Sequence, residues 1–165
     1  MRDIVFRHTN IVCKHWRSLA AFYQEVFDCR PAGPIRSFSG VVVSEGTGTP
    51  NAVIRGIHLR LPGVGRKGPT LEIFEYDEVI QTENKKPNRE GYAHIAFETG
   101  NVSKLCAKVI EAGGAFAGKI VKQNVEGVGV VEFAYVRDPE GNLIEIQSWS
   151  QAPKDTFFIE QPPFL

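Results

Sequence analysis

Apolar positions along the chain fall in short runs whose spacing switches repeatedly between every second residue and about every 3.6 residues, the signature of strands alternating with helices. Residues 4 to 13 (IVFRHTNIVC) read as a strand. Residues 18 to 28 read as a helix, because Leu19, Phe22, Tyr23, Val26 and Phe27 recur at helical spacing behind the candidate N-cap Ser18. After a turn-rich stretch, strands are predicted at Gly40 to Ser44, Ile54 to Leu61 and Thr70 to Tyr76, with Glu45 to Asn51 as a surface loop. Residues 79 to 91 (VIQTENKKPNREG) are polar and broken at Lys85, Lys86 and Pro87, so they read as a linker. Beyond it lie a strand at Tyr92 to Glu98, a helix at Ser103 to Ala112 ending on Gly113 and Gly114, and strands at Gly118 to Gln123, Val128 to Val136 and Leu143 to Trp149. The segment RDPEGN at 137 to 142 makes the last two strands a hairpin: Asp138 and Pro139 suit the turn entry, and Gly141 the positive-φ position.

The second half repeats the first. His8 to Leu19 is a separation of eleven residues and so is His94 to Leu105, which places a histidine on the first strand and a helix at the same offset in each half. Leu71, Glu72, Ile73 on one last strand answers Ile144, Glu145, Ile146 on the other. The fold class is therefore α+β, with two βαβββ modules in one domain spanning 1–165. The modules cover 4–78 and 92–149, joined by the 79–91 linker and followed by a 150–165 tail.

His8, Glu72, His94 and Glu145 occupy matching repeat positions and supply two imidazoles and two carboxylates. Such a nitrogen and oxygen set suits a six-coordinate divalent ion with positions left for water or substrate. Alternate residues of a strand share a face, and the neighbours of Glu72, His94 and Glu145 are apolar, so these point away from the helix-packed side, with His8 placed beside them by the repeat. A curved sheet would gather them on its concave face. In Ile57, His58, Leu59, Arg60, Leu61 the apolar positions alternate with His58 and Arg60, which makes those two candidate substrate contacts; Asn10 shares the His8 face and is a third. His15 reads as loop-exposed.

The segments RHTNIVCK, TLEIFEY, GYAHIAFE and FAYVRDPEGNLIEIQSW resemble the vicinal oxygen chelate superfamily, whose glyoxalase I branch pairs βαβββ modules. The resemblance spans roughly residues 4 to 149 and is most specific in the second half. It implies that His8, Glu72, His94 and Glu145 hold a divalent metal (Ni, Zn, Mn or Co), with one residue from the first and last strand of each module. A carboxylate at Glu72 is similar to the isomerases and lyases of that superfamily, which stabilise an enediolate-like intermediate on a small oxygen-chelating substrate while a carboxylate moves a proton. Glu145 is then the expected base and Glu72 the second candidate. Phe74, Glu75, Tyr76 and Asp77 depart from the Thr, Tyr, Asn continuation of glutathione-using members, which leaves glutathione use open. Short members pair subunits, so a homodimer is expected. Alternative readings are a non-catalytic small-molecule binding or resistance protein, an acyl-CoA epimerase, and an extradiol-type dioxygenase, for which the metal would be iron.

Composition narrows the partners. Nineteen Lys and Arg against nineteen Asp and Glu give zero net charge and no basic excess for nucleic acid. No apolar run approaches the roughly 20 residues of a membrane helix, and Met1 to Arg7 lacks the apolar stretch of a signal peptide. Cys13, Cys29 and Cys106 are odd in number and without a CxxC, as expected of reduced thiols in the cytoplasm. The tail holds Phe157, Phe158 and Phe164 amid prolines and is expected to dock on a partner subunit.

Overall fold

In the computed structural model, which describes residues 4–81 and 85–150, two mixed sheets of five strands are each built by one half of the chain. The first comprises β1 (His8–Val12), β2 (Arg30–Pro31), β3 (Arg36–Phe38), β4 (Ile54–Arg60) and β5 (Thr70–Tyr76), with helices α1 (Trp16–Phe27) and α2 (Val41–Thr47). The second comprises β6 (His94–Glu98), β7 (Ala115–Phe116), β8 (Val121–Val125), β9 (Gly129–Arg137) and β10 (Leu143–Ser150), with helix α3 (Val102–Glu111). In each sheet the first strand pairs parallel with the last, the last pairs antiparallel with the one before it, and two short strands share that third strand's far edge. The expected βαβββ repeat is therefore present, with its second strand split in two. The dedicated tail prediction falls on residues outside the described set.

The core forms on one face of each sheet. Leu71 and Ile73 of β5, Ile57 and Leu59 of β4, and the α1 face of Leu19, Phe22, Tyr23 and Val26 are buried together with Val102, Cys106 and Val109 of α3 and Ile144 and Ile146 of β10. Period-2 alternation then leaves Glu72, His58 and Glu145 on the opposite faces. All three cysteines are free and buried; burial pushes the Cys13 and Cys29 thiols up to about 12, so neither is a nucleophile at neutral pH. No helix among the described residues is long and apolar enough to cross a membrane.

Three local expectations change. Strand β1 begins at His8 rather than Ile4, since residues 4 to 7 are exposed and lie outside the sheet. Helix α1 begins at Trp16, whose burial draws the start upstream of Ser18; His15 takes the N-cap position without a side-chain cap bond. Gly40 to Ser44 is not a strand: α2 occupies Val41–Thr47 and takes in the start of the expected 45–51 loop. The reason lies in the sheet. β2 and β3 already pair with the free side of β4, so the valine run has no edge to join, and Gly40 at φ 92° turns the chain out of the extended path.

The two modules are joined through the β9–β10 turn. Glu140 of that turn accepts hydrogen bonds from the backbone N–H groups of Lys14 (2.8 Å) and His15 (2.7 Å), while Glu75 accepts from Trp16 N–H (3.2 Å). These carboxylates satisfy donors at the α1 N-terminus that its own sequence leaves without a cap. Asp138, 2 % exposed, accepts from the Tyr23 hydroxyl (3.2 Å), from Asn142 Nδ2 (2.7 Å) and from the N–H groups of Glu140 and Asn142 (2.9 Å each). Phe27 stacks on Phe97 at 4.2 Å between centroids. Gly114 is required where α3 turns back, because a Cβ there would strike the Arg137 carbonyl and Val109.

Asp138→Ala orphans several buried donors and is expected to cost about 3 kcal/mol, against about 1 kcal/mol for Tyr23→Phe, read by urea denaturation. Desolvation holds the Asp138 carboxyl above its ordinary 3.8 despite its hydrogen bonds. The folded state therefore takes up that proton more readily than the unfolded chain. Its contribution is most favourable below 3.8 and is lost as pH rises through the raised value. Relative to Asp138→Asn, the native protein should gain stability as pH falls across that window; the opposite slope would contradict burial as the dominant influence.

Candidate metal centre

The first-module constellation follows from register. His58 on β4 lies directly opposite Glu72 on β5, and β1 runs parallel on the other side of β5 with Asn10 opposite the same glutamate. The Glu72 carboxylate is thus reached from both flanks. His58 Nε2 is 2.8 Å from Oε1, His8 Nε2 is 3.5 Å from Oε2, and Asn10 Nδ2 donates to Oε2 at 3.1 Å. The His8 and His58 rings meet edge to face at 5.6 Å, and Thr70 Oγ1 lies 3.1 Å from His58 Nδ1. Glu72 is 12 % exposed and His8 46 %, so the cluster sits under an open side.

The second module repeats this geometry with two changes, the first being that Ala96, which has no side-chain donor, stands opposite Glu145 where Asn10 faces Glu72. His94 Nε2 is 3.0 Å from Glu145 Oε2, and the residue opposite Glu145 on the neighbouring strand is Tyr135, whose hydroxyl donates to Oε2 at 3.2 Å. Tyr135 stands where the first module has His58. Burial, then the Glu145 charge, push the Tyr135 phenol above its usual value, so it remains a hydrogen-bond donor at neutral pH.

The sequence-predicted residues thus fall into two sets. His8, Glu72, His58 and Asn10 are brought together; His94 and Glu145 pair separately. Among the described residues, His8, His58 and Glu72 are the only three or more His, Cys, Asp or Glu side chains whose ligand atoms lie within 4.8 Å of one another. Asn10 and His58, expected as substrate contacts, both engage Glu72. Arg60 lies half-buried on the His58 face of β4, opposite Thr70. His15 is exposed, as expected.

Two cavities adjoin these groups. A cleft of about 490 Å³ runs between β1 and β6 and is lined by Asn10 on one side and His94 on the other. A second, of about 370 Å³, lies against Glu72 and is walled by Phe38, Val42, Val43, Ile54 and Phe74. Helix α2 supplies part of that wall. Phe74 lies over Gly56, where a Cβ would collide with its ring. Sequence reasoning missed Tyr135, Thr70 and the α2 wall; Tyr135 was within reach, since Tyr135, Val136, Arg137 echoes His58, Leu59, Arg60. The donor set fits a divalent ion: imidazole Nε2 atoms already face carboxylate oxygens in both modules, with open sides remaining for further oxygen ligands.

The glyoxalase/bleomycin resistance protein/dioxygenase superfamily model matches residues 5–146. No curated protein matches the chain. Among solved structures, the chain is similar to a glyoxalase family protein from Bacillus cereus, with TM-score 0.72 and 16% identity over 90% of this chain and 97% of that one. It is also similar to a glyoxalase I mutant from Zea mays, with TM-score 0.59 and 17% identity over 86% of this chain and 45% of that one. A fosfomycin resistance protein from Listeria monocytogenes, complexed with Mn(II) and sulfate, matches with TM-score 0.50 and 16% identity over 92% and 96%. At these identities the likeness is one of fold.

Burial holds the His58 imidazole below its ordinary 6.5, with Arg36 and His8 acting in the same direction and Glu72 opposing them. In metal-free protein, NMR titration should place the His58 midpoint below 6.5. Glu72→Gln, by removing the one opposing charge, should lower it further; a rise would contradict this arrangement.

Proposed function

The chain belongs to the glyoxalase/bleomycin resistance protein/dioxygenase superfamily, and from that premise we propose that it is a metal-dependent isomerase or lyase of the glyoxalase I type. Its substrate is a small molecule presenting two neighbouring oxygens. The observation that carries this reading is the pair of carboxylates, Glu72 and Glu145, each held by an imidazole at a matching register position. His8 and Glu72 would hold the ion together with His94 and Glu145, which pair apart from them within the chain and would join them from a second copy in a homodimer. Bound there, a divalent cation supplies the positive charge that favours an enediolate-like state over the neutral carbonyl compound.

The chain's own groups perform the remaining work. Glu145 accepts the proton leaving the substrate carbon, and the C–H electron pair passes into the adjacent carbonyl. Tyr135 and His94 both contact Glu145 Oε2, so they orient the carboxylate and leave Oε1 the freer atom to take the proton. Glu72, fixed by Asn10 and His58, is the second base available for return of the proton from the other side. The apolar wall of Phe38, Val42, Val43, Ile54 and Phe74 takes the hydrocarbon part of the substrate and excludes water beside Glu72. Ile80 and Tyr92, 92% and 103% exposed at the β1–β6 cleft, support a homodimer in which a second copy covers them.

A second reading, an oxygen-activating iron enzyme, is favoured by the two-histidine, one-carboxylate cluster of His8, His58 and Glu72. Deuterium wash-in from solvent, followed by NMR across thiol hemiacetals and acyl-CoA esters, tests the choice. Metal-dependent exchange that falls about 10²- to 10⁴-fold in Glu145→Gln is expected. Tight binding without exchange would identify a binding protein. Bound iron with oxygen uptake would identify a dioxygenase.

A further inference from the structure

The two modules match in sheet topology, in the cross-strand register of His and Glu and in the pairing of a third-strand residue opposite each glutamate. They differ in what that third strand presents. Opposite Glu72 it is an imidazole; opposite Glu145 it is a phenol. An imidazole offers a lone pair to a cation at neutral pH, whereas a protonated phenol acts toward the carboxylate as a donor. The repeat is thus broken at the one position that would add a ligand.

We propose that the first module holds a divalent cation by itself, with His58 Nε2 as a ligand beside His8 Nε2 and the Glu72 carboxylate, so that the second module's His94 and Glu145 complete the site but are not needed to form it. This inference rests on the metal-dependent reading above and adds a ligand to its set. The geometry carries it. The three ligand atoms converge within 4.8 Å on one face of adjacent strands, so a cation can replace the present imidazole–carboxylate contacts with side-chain adjustment alone.

The surrounding groups suit that exchange. In the metal-free arrangement His58 Nε2–H donates to Glu72, and Nδ1 accepts from the Thr70 hydroxyl. With a cation at Nε2 the proton resides on Nδ1 and donates to the same hydroxyl, which both donates and accepts, so Thr70 serves either tautomer. Asn10 remains a donor to Glu72 Oε2 and fixes the carboxylate plane. Two nitrogens and one carboxylate leave positions on a six-coordinate ion for two substrate oxygens.

The test uses Co(II) as the probe, titrated into the full chain after chelator treatment, with bound cobalt counted after gel filtration and ligation followed by the visible spectrum. His94→Ala/Glu145→Gln should still bind about one cobalt per chain, weakened by about 10- to 100-fold. Adding His58→Ala to that pair should abolish binding. In the cobalt-loaded double variant, NMR should show hyperfine-shifted ring N–H signals from two histidines, His8 and His58. Glu145→Gln alone serves if the double variant does not fold. If the second-module variant binds no cobalt while the native chain does, or if its binding is indifferent to His58→Ala, His58 is not a ligand and the inference is overturned, leaving the four-ligand reading standing. If the native chain binds no cobalt, both fail.

Discussion

The acidic turn between β9 and β10 is the constraint on which the rest of the structure depends. Helix α1 begins without a cap of its own, and its terminal N–H groups would be left with unsatisfied partners if the second module did not bring Glu140 to them. Two residues away in the same turn, Asp138 is buried against Tyr23 from the middle of that helix. A buried carboxylate is costly, and it persists here because four hydrogen bonds converge on it. Lys85 Nζ adds bonds to the Glu140 carbonyl and Asn142, so the chain between the modules is tied to the same turn. Position of one module relative to the other is thereby set by hydrogen bonds of fixed geometry as well as by the Phe27–Phe97 stack.

That coupling matters to the proposed chemistry because its candidate residues are divided between modules. One carboxylate is enclosed by two imidazoles and an amide, the other by one imidazole and a phenol. Duplication supplies two equivalent frames, and substitution at the third strand differentiates them. The first is richer in candidate ligands; the second holds its carboxylate through a donor that keeps its proton at neutral pH. The proposed division into an ion-holding half and a proton-transferring half draws on this difference, and α2 adds an apolar wall to the first half.

Much of this was legible before any coordinates. The histidine and glutamate positions emerged from counting, because a strand's period of two carries face information directly, and the parallel pairing of first and last strands follows once the repeat is recognised. RDPEGN was readable as a turn, though its role as a cap for a distant helix was not, since that depends on a contact across more than a hundred residues. The valine run at 41 to 43 misled for an instructive reason. β-Branched residues favour strands only where an edge is free, and β2 and β3 had taken it. Tyr135 escaped because its significance lies in cross-strand register, which a single strand's pattern does not contain. Its echo of His58, two residues before an arginine in each half, was the available signal.

The central claim is that matched imidazoles and carboxylates make this a metalloprotein. Elemental analysis of protein prepared without added metal or chelator tests it most directly, with Glu72→Gln as the control. About one divalent ion per chain, lost in the control, is the predicted result. No ion as prepared, and none taken up when nickel, zinc, manganese, cobalt and iron are offered in turn, would contradict it.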